Sequence, residues 1–354
     1  MSSPVNTGVF QTLETVKNQV IIRDSIYGEH IITEPVLIDL LQSPELFRLK
    51  GVCQHGVTAL LGFGPKVTRF EHSVGAFLLV RKIGATVKEQ IAALLHDISH
   101  TSLSHVVDFA LSKPGEGSYH EVHKHRYLQR TNLAQILTQY DAGYVEAFDE
   151  DLFPLVEKSA PQLCADRLDY SLRDAVAFKK LSLKDAQKLY QILKAHPSAT
   201  SPNRLLVLDD PQLALSLARA YLATDRDVWS NRAHADIYKR TGRIIRELAD
   251  SGHVNDDALW SMSDDEFWSL LRQGATPEIL CEMDKLETEG LPNEENLLLP
   301  AAAKIRTIDP DVCQRLEQEP LPLSVLLPEW GVERQEYIRS RELTRECRSC
   351  CNRQ

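Results

Sequence analysis

Two short segments of this chain concentrate the residues able to do chemistry. One is Arg69-Phe70-Glu71-His72. The other runs Leu94-Leu95-His96-Asp97-Ile98-Ser99-His100-Thr101-Ser102-Leu103-Ser104-His105-Val106-Val107-Asp108. Together they hold four of the twelve histidines. A buried helix accommodates an imidazole beside a carboxylate only when both are compensated. A divalent metal does this directly, because it takes neutral imidazole and carboxylate ligands together. His96 and Asp97 therefore read as metal ligands, and two neighbours on one helix leave a transition-metal site incomplete. His72 is the natural third ligand, and a fourth candidate lies in Ala165-Asp166-Arg167-Leu168-Asp169-Tyr170. His105 and Asp108 are three apart, a spacing that lets the carboxylate orient the imidazole and raise its basicity.

The elements that must position these groups are mostly helical. Val87, Ile91, Leu94, Leu95 and Ile98 recur at helical spacing and put His96-Asp97 near the C-terminal end of a largely apolar helix. His72 opens a preceding run carrying Val74, Phe77, Leu78, Val80 and Ile83. His96 and His100 share a face if the helix continues that far, and Ser99, Thr101 and Ser102 offer a break and a fresh N-cap before His105. Residues 19–33 alternate around Tyr27-Gly28-Glu29 and read as a small hairpin. Residues 114–120 form a loop suited to a lid, 126–195 read as successive helices, and Arg204–Leu208 is a further strand. Asp166, Asp169 or Tyr170, and Asp174 fall on one helical face. The expected division is a tail (1–18), a main domain (19–250), a helical lobe (251–345) and a cysteine-containing tail (346–354).

The order of His72, His96-Asp97 and a distant Asp166 resembles the HD-domain metal-dependent phosphohydrolases. More narrowly, it resembles their deoxynucleoside triphosphate triphosphohydrolase branch. The resemblance implies a mainly α fold, a helical HD bundle with small β-hairpin elements and a short C-terminal α lobe. It implies His72, His96, Asp97 and Asp166 as ligands of one divalent transition metal (Fe, Mn, Co, Ni or Zn), with Mg²⁺ accompanying the substrate phosphates. His100, His105 and Asp108 fall on positions that contact phosphate or move protons, and His120 on a further active-site histidine. Gln54, Arg69, Arg167, Tyr170 and Asp174 fall on substrate-contacting positions. Arg226 and His234 match the segment for terminal phosphate and base, although His234 replaces an aromatic ring and Asp236-Ile237 a basic pair.

Composition agrees with an ordinary globular protein: 354 residues, 43% hydrophobic and 25% charged. A net charge of −10 and the lack of an aromatic-basic stripe argue against nucleic acid as a partner. No apolar run is long enough to span a bilayer, and Met1–Gly8 has no secretory character. The seven cysteines are scattered and odd in number, which fits a reducing, cytoplasmic compartment, with a nuclear one compatible. Cys347, Cys350 and Cys351 read as free thiols at a frayed end.

The expected reaction is hydrolysis of a phosphate ester or anhydride in a nucleotide. Metal activation supplies the nucleophile, and Arg69, Arg167 and imidazolium groups offset phosphate charge. Arg69, Arg167 and Tyr170 favour a triphosphohydrolase. The altered Arg226 region favours a nucleoside monophosphate phosphatase. Remaining alternatives are a non-catalytic nucleotide sensor and a two-metal enzyme recruiting two of His100, His120, His123 and His125. Related enzymes assemble as homo-oligomers, so the resemblance implies assembly here too.

Overall fold

Apolar residues spaced three and four apart build most of this chain, and its few strands serve to hold helices in place. The computed structural model describes residues 9–345, except 114, 145, 302, 316 and 317 and the side chain of Glu150. Cys347, Cys350 and Cys351 lie outside the described residues.

A three-stranded antiparallel meander opens the chain: β1 (Gln11–Val16), β2 (Gln19–Asp24) and β3 (Gly28–Ile32). The expected hairpin is β2–β3, with Val20 opposite Ile32. β1 lies within the segment expected as a tail (1–18). It is an edge strand whose side chains are exposed or half-buried, so it lacks the apolar alternation that marks a strand in sequence. β2 buries Val20 and Ile22 and ends on the buried Asp24.

Two helices carry the first chemistry-bearing segments. The Arg69–Lys82 helix starts at a capping box in which Thr68 and Glu71 each bond the other's backbone N–H. The Val87–Leu95 helix is N-capped by Thr86. It does not continue to His100; it ends at Leu95 with His96 as its C-cap. Arg48 Nη2 then donates to the carbonyls of Ile98 (2.9 Å) and His100 (2.7 Å), holding the following turns. Ser99 and Ser102 do not cap the Val106–Leu111 helix. Their hydroxyls donate to carbonyls at His120 and at Leu259 and Met262, and His105 is itself the N-cap residue.

Residues 140–164 are mostly irregular rather than helical, and lead into the Ala165–Ala177 helix. This helix packs against Arg69–Lys82 at Gly75, where an added Cβ would lie 1.8 Å from Asp169 Oδ1. A second sheet joins distant parts of the chain. In it β4 (Leu193–His196) pairs antiparallel with β5 (Leu205–Leu208), β5 parallel with β6 (Asp311–Val312), and β6 antiparallel with β7 (Leu321–Pro322).

One continuous apolar core runs from Val20 to Trp330 and includes Trp260, Phe267, Leu271 and Met283. The expected boundary at 250/251 therefore falls inside packed structure. Asp264, at the start of the Ser263-capped Asp264–Gly274 helix, accepts hydrogen bonds from Cys53 N (2.8 Å) and Leu103 N (2.7 Å).

Candidate metal centre and substrate cavity

His72 projects from the first turn of its helix, His96 from the end of the next, and Asp166 from the first turn of Ala165–Ala177. Each imidazole is oriented from behind. His72 Nδ1 donates to Asp169 Oδ2 at 2.8 Å, and His96 Nδ1 to the Ala93 carbonyl at 2.8 Å. In the neutral rings both Nε2 lone pairs then face inward. They lie 3.0 Å apart, and Asp166 Oδ1 is 3.0 Å from His72 Nε2 and 3.5 Å from His96 Nε2. Asp97 adds its carboxylate, with Oδ2 3.6 Å from His72 Nε2 and Oδ1 3.8 Å from His96 Nε2. Lone pairs crowded this closely repel unless positive charge sits among them. Burial lowers the His72 pKa, yet the carboxylates of Asp166 and Asp169 raise it to about 10. The same field that draws a proton suits a divalent cation, and a nitrogen-oxygen donor set of this kind accepts iron, manganese, cobalt, nickel or zinc.

Asp169 is a residue whose role the sequence reading missed. It is wholly buried, takes Tyr27 OH at 2.7 Å and Arg173 Nε at 2.9 Å, and Arg173 Nη2 reaches Asp24 at 2.7 Å. The β2 strand thus fixes His72 through a buried chain of charges. Such a chain is costly to desolvate, and it holds because every member is paired.

Beside these candidate ligands lies a second group, His100, His105 and His120, whose ring nitrogens come within 4.8 Å of one another. The rings of His100 and His120 stack with centroids 3.5 Å apart. Burial, together with Arg69 for His100 and with His100 for His120, holds both pKa values well below the ordinary histidine range. Both imidazoles are thus held toward the neutral form by their surroundings. Among the described residues, neither Nδ1 has a hydrogen-bond partner. His105 is half-exposed, and its Nδ1 lies 2.9 Å from Asp108 Oδ2. Burial pushes Asp108 up, but the bonds from His105 and from Tyr119 N hold it below the usual carboxylate range. His123 packs against Tyr119 and His125 against Gln129, both away from this group.

His72, His96, Asp97 and Asp166 and the group of His100, His105 and His120 line one cavity of about 730 Å³, shared with Gln54, Arg69, Arg167, Tyr170 and Asp174; Asp108, His123 and His125 do not. Arg69 donates from Nη1 to Asp97 (2.5 Å) and from Nε to Ser104 Oγ (2.9 Å). Arg167 Nη1 donates to the carbonyls of Lys158 and Gln162. Tyr170 shares a hydrogen bond with Tyr221 at 2.7 Å, and both rings meet Trp229 edge-on. Asp174 receives His55 Nε2 (3.0 Å) and Trp229 Nε1 (2.7 Å).

The structure does not bring Arg226 or His234 to the cavity lining. Arg226 is exposed on a π-helical turn, Asp225–Trp229, and turns onto its neighbour Asp227 at 2.6 Å. His234 is buried in the Arg232–Asp250 helix. In their place the cavity has His55, Glu157, Trp229, Lys304 and Arg306. Burial, reinforced by the charge on Asp166, raises the Glu157 carboxyl to about 8. Nothing in the local sequence marks Glu157, and Lys304 and Arg306 reach the site only through the late crossover into β6.

A family model described as "HD domain" matches residues 69–169. The metal-dependent phosphohydrolase cns2 of Cordyceps militaris is 60% identical over 96% of this chain and 99% of its own length. The SAMHD1 deoxynucleoside triphosphate triphosphohydrolase of Danio rerio is 32% identical over 29% of this chain and 19% of its own. A phosphohydrolase structure from Bacteroides thetaiotaomicron superimposes with a TM-score of 0.58 at 20% identity, covering 77% of each chain, a likeness of fold. The chain belongs to the HD-domain metal-dependent phosphohydrolases.

Proposed function

We propose that this phosphohydrolase acts on a nucleotide. The observation that carries the reading is the joint opening of the metal ligands, the histidine group and an aromatic wall (Tyr170, Tyr221, Trp229) onto one cavity of nucleotide size. His72, His96, Asp97 and Asp166 would hold a divalent cation, which when bound would supply an activated water and polarise a phosphoryl oxygen. Arg69, Lys304 and Arg306 balance phosphate charge. Neutral His100 and His120 offer hydrogen-bonding edges to phosphate oxygens. His105, oriented through Nδ1 by Asp108, carries a proton at Nε2 to the leaving oxygen.

The leading substrate class is a deoxynucleoside triphosphate, supported by the retained Arg69, Arg167 and Tyr170 and by the similarity to SAMHD1. A nucleoside monophosphate is the second reading, favoured by the position of Arg226 outside the cavity. A panel of nucleoside mono- and triphosphates incubated with metal-loaded protein, with products resolved by mass, separates the two. Inorganic triphosphate marks the first and orthophosphate the second. Turnover should vanish in His96→Ala and persist in Arg226→Ala; persistence in His96→Ala would sink the reading.

A further inference from the structure

Leu103 and Ser104 both have left-handed backbone, with φ of 57° and 49°. Adjacent non-glycine residues avoid this conformation unless their surroundings impose it. Here the turn lies between His100 and His105, and it also aims Arg69, because Ser104 Oγ accepts from Arg69 Nε and donates to the Cys53 carbonyl at 2.7 Å. Gly56 packs so closely beneath it that an added Cβ would lie 2.4 Å from Leu103 O.

The constraint comes from more than 150 residues downstream. Trp260 Nε1 donates to Ser99 O at 3.1 Å, and Ser102 Oγ donates to Met262 O at 2.6 Å. Asp264, only 2% exposed, spans the junction by accepting Leu103 N on one oxygen and Cys53 N on the other. Asp264 does not line the cavity, so this carboxylate has no direct part in the chemistry.

We propose that Asp264 is a positioning residue for phosphohydrolysis: its two backbone hydrogen bonds fix the left-handed Leu103–Ser104 turn that directs Arg69 and His105 into the cavity. This rests on the proton-transfer role assigned to His105 above. The 251–264 segment then belongs to the catalytic apparatus, beyond its part in the core.

The test uses full-length, metal-loaded Asp264→Asn, which keeps the shape but sets an amide NH₂ against one backbone N–H. Metal content and cooperative melting should be retained, with kcat down at least tenfold and KM within about threefold on the nucleotide the panel identifies. The double variant His105→Ala/Asp264→Asn should lose clearly less than the product of the two single losses, since the part of the Asp264 effect that acts through His105 is already gone. A folded Asp264→Asn with kcat within twofold of the parent, or losses that multiply in the double variant, overturns the proposal. If Asp264→Asn does not fold, Asp264→Glu keeps the charge and both acceptors but displaces them by one methylene, and is read in the same way. Nitrogen-15 histidine spectra add a readout independent of turnover. The His105 ring signal, assigned by its loss in His105→Ala, should move in the Asp264 variant, and an unmoved signal counts against the proposal. A parent inactive on every nucleotide refutes the substrate reading, while the ring signal still decides the role of Asp264.

Discussion

His105 and Asp108 show how a residue's work follows from its partner. With Nδ1 committed to Asp108, Nε2 is left for the cavity. Replacing His105 by Ala should lower kcat by about 10²–10⁴-fold, the usual contribution of a positioned acid or base, with metal content unchanged. His234 makes a different prediction. Burial, and then the neighbouring His55, lowers its pKa to about 4, so the folded protein refuses a proton that the unfolded chain accepts near 6.5. That stabilisation is present above about 6.5 and is lost as pH falls toward 4. At about 1.4 kcal/mol per unit, the loss reaches roughly 3 kcal/mol. Urea denaturation from pH 7 to 4 should show this slope, and His234→Phe should flatten it.

Among the elements, the crossing of Arg69–Lys82 with Ala165–Ala177 matters most, because it brings His72 to Asp166 and Asp169. Gly75 permits it. A methyl group there meets Asp169 Oδ1 and the Arg173 guanidinium, both locked in the buried charge chain. Gly75→Ala should therefore cost about 2–3 kcal/mol or more, as overpacking does, and weaken metal retention. Thermal melting and metal analysis check both, and an unchanged melt would remove the steric account.

The two helices of this crossing were legible in sequence because their apolar spacing is regular and the metal-ligand residue types are few. β1 was not, since an exposed edge strand needs no apolar alternation. Asp169 stood in plain view three residues after Asp166, but spacing cannot say which carboxylate faces an imidazole's front and which its back. His55 and Glu157 acquire their partners, Asp174 and Asp166, only through tertiary contact. Arg226 failed for a local reason: the π-helical turn rotates it outward onto Asp227.

At the scale of the molecule, the C-terminal hundred residues are structural partners of the site. They supply Lys304, Ile305, Arg306 and Thr307 to the cavity wall. They also bury Trp330 completely in the shared core. A fragment ending at residue 250 should show no cooperative unfolding transition by circular dichroism, because truncation lays open the core faces that Trp260, Phe267 and Leu271 cover. A fragment that melts cooperatively would restore the boundary expected from composition. No helix among the described residues is long and apolar enough to cross a membrane.

The parallel pairing of β5 with β6 sets a timetable for biosynthesis. On the ribosome His72, His96, Asp97 and Asp166 emerge well over a hundred residues before Lys304–Thr307. That part of the donor set can thus assemble while one side of the chamber is still missing, and the chamber is closed only once Lys304–Thr307 has followed.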